Sequence, residues 1–491
     1  MELEEIIRQK LMISFNGMQA PEKLLEDLRR RPLGGVTLFR AMNYQGLAQM
    51  RALTGSLQAA ARSGGRLPLL IGVDQEGGQL MELGDGTPFP GNMALGAAGD
   101  ENLAHRVGRA IGLELAAVGV NVDYAPAIDV ASNPDNPGIG VRSFGQDPAR
   151  VARLGAAMVA GMQSAGIAAT AKHFPGYGDI VVDSHYSTPV VPHSLERLRE
   201  VEMPPFRAAV EAGVWMVMTA HLALPALNDG ADMPATLSRP VLTGLLRKEL
   251  EFQGVIITDA MNMGAIAQGQ ALLVDCIASL AAGADLLLLV SDEAETEALY
   301  QGLLHAARRR LLNPREMADS AGRVLALKRW LAGVEQPPLA VVGGDMHQKL
   351  ALEVARRATT VVRNTAGLLP LRLKPSDRVA VVFPRPEDLT PADTSSYVAP
   401  QMAAALRKRH PNVDEFILPL NPSAEETAAF REQARSYDLV VAGTISAPFY
   451  PGQAALVQSL LDSGAPTVAV ALRTPYDLKA YPAAQTYVCT Y

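Results

Sequence analysis

Lys172, His173, Asp183 and His185 fall within one fourteen-residue segment, Lys172-His173-Phe174-Pro175-Gly176-Tyr177-Gly178-Asp179-Ile180-Val181-Val182-Asp183-Ser184-His185. The segment opens where an apolar run, Ile167-Ala168-Ala169-Thr170-Ala171, ends. It therefore reads as a buried strand running out into a loop. Residues two apart in extended chain point the same way, so Asp183 can meet His185 and orient its ring. Such a pair moves protons near neutral pH. Gly176 and Gly178 are expected to let that loop move. A second chemical candidate is Asp259, which follows the β-branched run Val255-Ile256-Ile257-Thr258. A strand-tip carboxylate suits nucleophilic attack, but Asp is equally at home as a helix cap, and the residues alone leave both open. Asp74 ends another apolar run and Arg142 sits in a Gly/Pro-rich loop. Asp123 and His221 stand open between lining a site and bonding within the protein. Glu76 is read as structural, and Met261 and Met263 as packing residues.

The elements that must hold these residues follow from periodicity. Eight apolar, β-rich runs are expected as strands, at 11–17, 36–39, 68–74, 120–126, 167–174, 214–221, 254–260 and 284–290. Stretches with helical spacing lie between most of them, among them 101–118, 149–165, 194–212 and 264–282. Alternation of this kind implies a parallel sheet, and eight units imply a (β/α)8 TIM barrel. Asp74, Asp123, Lys172, His173, His221 and Asp259 then all fall at C-terminal strand tips, where barrel enzymes keep their chemistry. Residues 1–335 are expected to form this barrel domain and 336–345 a Pro/Gly-containing linker. Residues 346–491 are expected to be a smaller three-layer α/β/α domain, shortened at its end, with strands near 378–383, 438–443 and 467–472.

Six blocks in order carry a family resemblance. They are Gly34-Gly35-Val36-Thr37-Leu38-Phe39, Asp74-Gln75-Glu76-Gly77-Gly78, Asn121-Val122-Asp123-Tyr124-Ala125-Pro126, Arg142-Ser143-Phe144-Gly145-Gln146-Asp147-Pro148, the Lys172–His185 segment and Ile257-Thr258-Asp259-Ala260-Met261. Together they resemble glycoside hydrolase family 3, in its bacterial β-N-acetylglucosaminidase branch. The resemblance implies a retaining exo-enzyme that removes terminal β-linked N-acetylglucosamine, from muropeptide-type or other small amino-sugar substrates in the cytoplasm. It implies Asp259 as nucleophile and the Asp183–His185 dyad as acid/base. Lys172, His173, Asp74 and Arg142 become sugar ligands, with Asp123 and His221 lining the site, and no cofactor is required. Gln79 and Tyr177 depart from residues frequent in that family at these places. A phosphorylase acting on glucosaminides or glucosides, a plain β-glucosidase, and an inactive sugar-binding protein are the alternatives.

Bulk properties narrow the classes. The 491 residues are 48% hydrophobic and 19% charged, which describes a globular chain. A net charge of −7 without a long basic run argues against nucleic-acid binding. No apolar run reaches the ~20 residues of a membrane span, and the acidic start shows no secretory h-region. Cys276 and Cys489 read as two buried thiols in a reducing compartment rather than a disulfide. The dispersed His residues give no metal spacing, and the glycines form no nucleotide-binding fingerprint. A monomer or homodimer is expected.

Overall fold

A computed structural model describes residues 1–266 and 271–491. The chain divides into two compact units, Met1–Leu352 and Glu353–Tyr491.

In the first unit, strands β1 (Leu11–Ile13), β2 (Gly35–Thr37), β3 (Leu70–Val73), β6 (Val122–Asp123), β7 (Ala168–Phe174), β8 (Met216–Thr219), β9 (Val255–Ala260) and β10 (Leu286–Leu289) close into a parallel barrel. A short hairpin of β4 (Gln75–Gly77) and β5 (Leu80–Met81) follows β3. All eight expected runs overlap a barrel strand. They are legible because barrel strands are buried on both faces and so stay apolar throughout: every residue of β7 and β10 is buried. Met12, Leu70, Val122, Tyr124, Ala168, Met216, Val255 and Leu286 belong to one packed cluster, so the barrel is filled rather than hollow.

The surrounding helices start where their caps dictate. Asp100 accepts from Leu103 N ahead of Glu101–Ala117, and Asp147 caps Pro148–Ser164 with proline in the first turn. The single helix expected over 194–212 is two, Leu195–Glu200 and Met203–Glu211. Pro204 and Pro205 offer no N–H to a continuing helix, so a second one begins at them instead. Of the helix expected over 264–282, Leu272–Ala282 is helical and residues 267–270 lie outside the described residues. The first unit reaches beyond 335 because buried Glu114 accepts from Gly343 N (3.1 Å) and pairs with His347 Nδ1 (2.7 Å).

The second unit is a six-stranded sheet in the order β11 (Thr360–Asn364), β16 (Thr486–Cys489), β15 (Thr467–Ala471), β14 (Leu439–Thr444), β12 (Val379–Pro384), β13 (Val413–Leu418). Only the β11–β16 pairing is antiparallel. Alternate residues serve the two faces. Ala380, Val382, Val440, Ala442 and Ala469 pack with Phe430, Leu456 and Leu460, whereas Val379, Val381, Val441 and Val468 pack with Ala403 and Leu406. Helices therefore cover both sides, giving three layers. Cys276 and Cys489 are free and buried. Among the described residues no helix is long and apolar enough to cross a membrane.

Candidate active site

The first unit gathers its unusual polar residues at the C-terminal ends of its barrel strands. Asp74 follows β3 directly, Glu76 lies on β4, and Lys172 and His173 lie near the C-terminal end of β7. Arg142 sits in a short helical turn, Gly140–Arg142, and Asp259 is in β9.

Four of these residues form one ionic network. Lys172 Nζ lies 2.5 Å from Asp74 Oδ1 and 2.7 Å from Glu76 Oε1. Arg142 grips Glu76 with two bonds, Nη2 to Oε1 at 2.7 Å and Nε to Oε2 at 2.9 Å. Two cations thus face two carboxylates, and a buried set of this kind stands only because it is balanced. Burial opposes ionisation of Glu76, but the charges and hydrogen bonds of Arg142 and Lys172 outweigh it and hold the carboxyl far below its usual range. Burial likewise works against the Lys172 ammonium, and the charges of Asp74 and Glu76 raise its pKa in spite of it. The Lys172 side chain is 1% exposed and that of Asp74 22%. Of this set, Asp74 presents the most surface to an arriving sugar. The structure gives Glu76 a specific task, joining Lys172 to Arg142.

His173 is oriented by Asp129, a residue the sequence reading passed over. Its Nδ1 is 2.7 Å from Asp129 Oδ2, and its backbone N–H donates to the same carboxylate. Tyr177 N also donates to Asp129, at 2.7 Å. This leaves His173 Nε2 as the acceptor side, 3.5 Å from Arg142 Nη2. The signal for Asp129 was an acid directly after the apolar Ala127-Ile128, a pattern too common to single out.

The second cluster is the dyad. His185 Nδ1 sits 2.6 Å from Asp183 Oδ1, which also accepts from His185 N at 2.9 Å. Burial would raise the Asp183 pKa, but the His185 hydrogen bonds and charge carry it below its ordinary value. Asp183 therefore stays a carboxylate at neutral pH, able to orient the ring and stabilise its cation. Its second oxygen, Oδ2, is buried with no partner among the described residues. The Tyr177 hydroxyl accepts from Ser184 N (2.6 Å) and donates to Ser184 Oγ (2.8 Å), tying the middle of the loop down.

The glycines ahead of the dyad have a packing task beyond the mobility expected of them. A Cβ on Gly178 would lie 1.7 Å from Val130 O, and one on Gly176, which also has φ +130°, would lie 2.5 Å from Glu202 Cγ. These positions need glycine for close packing.

Asp259 is half-buried, and its Oδ1 accepts from Ala260 N at 2.8 Å. Burial pushes its pKa up, but the charges of His221 and His173, the Ala260 N–H and the charge of His185 bring it below the usual value. The result is an ionised carboxylate with three imidazoles in electrostatic reach, which suits a nucleophile.

The two residues left open between lining the site and structural bonding, His221 and Asp123, both bond within the protein, though Asp123 Oδ2 has no partner among the described residues. His221 is fully buried, with Nδ1 2.8 Å from Thr236 Oγ1 and Nε2 donating to Ala260 O at 3.0 Å. Both nitrogens are engaged, Nδ1 with the Thr236 hydroxyl and Nε2 with the backbone beside Asp259, and burial holds the ring's pKa down. Asp123 is fully buried too; its Oδ1 accepts from Gln75 N at 3.0 Å. Burial pushes its pKa well up. Met261 is buried, and Met263 nearly so. Among the described residues no cluster of His, Cys, Asp and Glu has the makings of a metal site.

Residues 2–327 match the family described as Glycosyl hydrolase family 3 N terminal domain. A beta-hexosaminidase A from Pseudoalteromonas piscicida is 38% identical over 378 residues, covering 72% of this chain and 63% of that protein. The chain thus spans less than two thirds of that relative. A solved glycoside hydrolase family 3 beta-N-acetylglucosaminidase from Paenibacillus sp. str. FPU-7 superposes with a TM-score of 0.92 at 36% identity, covering all of this chain and 94% of that one. A beta-glucoside phosphorylase superposes with a TM-score of 0.82 at 25% identity, covering all of this chain and 89% of that one.

Proposed function

The chain belongs to glycosyl hydrolase family 3, and on that premise we propose that it is a retaining exo-β-N-acetylglucosaminidase. The observation that carries this reading is the Asp183–His185 pair at 2.6 Å, in the same unit as an Asp259 whose carboxyl pKa lies below its ordinary value. Asp74, Lys172, Arg142 and His173 hold the hydroxyls and acetamido group of a terminal sugar. Asp259 attacks the anomeric carbon while His185, protonated and steadied by Asp183, gives a proton to the leaving oxygen. The glycosyl ester on Asp259 is then opened by a water from which His185 takes a proton, and the sugar leaves with its original β-configuration. Two buried free thiols suit a reducing compartment. We place the work in the cytoplasm, on small amino-sugar substrates of the muropeptide type released from cell wall.

One observation favours a second reading. The acid/base is an imidazole rather than a carboxylate, and a carboxylate would repel an incoming phosphate more strongly. The likeness to a beta-glucoside phosphorylase points the same way. An aryl N-acetylglucosaminide assayed beside the matching glucoside, with and without inorganic phosphate, separates the possibilities. We expect preferential turnover of the glucosaminide, at a rate independent of phosphate, with free sugar as product. Sugar 1-phosphate as the main product would contradict hydrolysis, and faster turnover of the glucoside would contradict the acetamido specificity.

A further inference from the structure

The dyad's loop is buried at Ile180, Asp183 and Ser184 but open on either side, where Val181 and Tyr186 are each 72% exposed. Few apolar contacts hold such a segment, so its hydrogen bonds must. Tyr177 secures one side of Ser184. The other side meets the turn that follows the β9 strand. Gly264 N donates to His185 O at 3.2 Å, Ala265 N to Ser184 O at 3.0 Å, and Thr188 Oγ1 to Ala265 O at 2.5 Å. The turn is itself fixed to the barrel. Met261 N donates to Leu288 O (2.9 Å), Met263 N to Ala260 O (3.0 Å) and Asn262 Nδ2 to Val290 O (2.8 Å). The strand that presents Asp259 therefore also supplies the dock for His185, five residues further on.

Gly264 is the tightest point of that dock. A Cβ built there would lie 2.6 Å from His185 O and 2.9 Å from Tyr186 O, both backbone atoms that cannot swing aside. Gly264 is not among the residues with positive φ, so its backbone does not require glycine. It is also exposed, so the fold has no need of a missing side chain there. What the position requires is room for the loop.

We infer that Gly264 is a positioning residue: with Ala265 it forms a backbone latch that sets the acid/base loop at its working distance from the nucleophile strand. The inference rests on the glucosaminidase reading above for its kinetic consequence, but not for its structural one. A methyl group at Gly264 lifts the loop, and a displacement near 1 Å at a reacting group costs about 10²-fold in rate. The loss falls on protonation of the leaving group, because Asp259 is untouched.

The test compares wild-type protein with Gly264→Ala as full chains. For a glucosaminide with a poor, unactivated leaving group, kcat/KM should fall about 10²-fold. For a dinitrophenyl glucosaminide, which leaves without a proton, it should change little. Hydrogen exchange at the Tyr186 and Ser187 amides should rise, and the unfolding temperature should not move. Thr188→Val should shift all of these in the same direction, less strongly. An equal loss on both substrates, an unchanged rate on the poor one, or unchanged exchange would overturn the latch. Wild-type protein inert on both glucosaminides would instead overturn the functional reading. The exchange comparison would then still decide whether Gly264 holds the loop.

Discussion

Asp259→Ala is expected to lower turnover of an N-acetylglucosaminide on the order of 10⁴- to 10⁶-fold, the range seen when a covalent nucleophile is removed. Folding should survive, since the hydrogen bond lost is to the adjacent Ala260 N–H. The methyl side chain also leaves a space on the face from which the carboxylate attacks. Azide should enter there, restore part of the rate and give the α-glycosyl azide, because one displacement at a β-linked centre inverts it. Product analysis by NMR reads the outcome. Recovery of the β-azide would mean that the attacking face has been misassigned. An Asp259→Ala variant within about tenfold of wild type would mean that another carboxylate attacks, since a tenfold change is only about 1.4 kcal/mol of barrier.

The second large effect is expected at a residue whose importance was hidden in the sequence. Glu76→Gln removes one charge from a buried set that holds Lys172 and Arg142. The two cations are then left against Asp74 alone, and breaking a buried pair in this way costs about 3–5 kcal/mol. The sign of its pH dependence follows from the depressed pKa. A carboxyl held below its unfolded value of about 4.3 contributes stability above that pH and loses it as pH falls toward the folded value. The stability gap between Glu76→Gln and wild type should thus be constant from pH 7 to about pH 5 and narrow only in stronger acid. Denaturant unfolding at a series of pH values measures it. Activity should fall as well, through misplaced Lys172 and Arg142. A gap below about 1 kcal/mol, the worth of an exposed ion pair, would show that the network carries far less than its burial implies.

Glu76 illustrates why some of the site was legible and some was not. Asp74, Lys172, His173 and Asp259 announce themselves because each is a charged residue interrupting an apolar run, and a barrel puts such interruptions on one rim. The Asp183–His185 contact was expected from a spacing of two in extended chain, but the structure makes it in a turn, with Asp183 Oδ1 also accepting from His185 N. The tasks of Glu76 and Asp129 depend on partners 66 and 44 residues away. No local pattern encodes those pairings. His221 and Asp123 carry the same strand-tip signature as the Asp74–Lys172 network. Their full burial and inward hydrogen bonds are tertiary facts. Gly176 and Gly178 were read for mobility alone, and the close packing was missed because both demand the same residue.

The fold divides along a similar line. Barrel strands and the central β12, β14 and β15 were visible as apolar runs. β11 and β13 were not, because they lie at the sheet's two edges. Val361 and Val362 are exposed, and β13 carries Asp414 and Glu415 outward. Charges on an edge strand guard against pairing with other chains and at the same time erase the hydrophobic signal of a strand.

The central claim is that Asp259 forms a covalent bond to the sugar while His185 handles the proton. The most direct measurement is to trap that bond. A fluorinated N-acetylglucosaminyl fluoride that forms the glycosyl ester quickly and hydrolyses slowly should add one sugar mass to the intact protein. Peptide mapping by mass spectrometry should then place that mass on Asp259 in wild-type protein and find none in Asp259→Ala. Label on Asp74, Glu76 or Asp183 would contradict the account, as would turnover of the reagent to an inverted product with no labelled protein at any time.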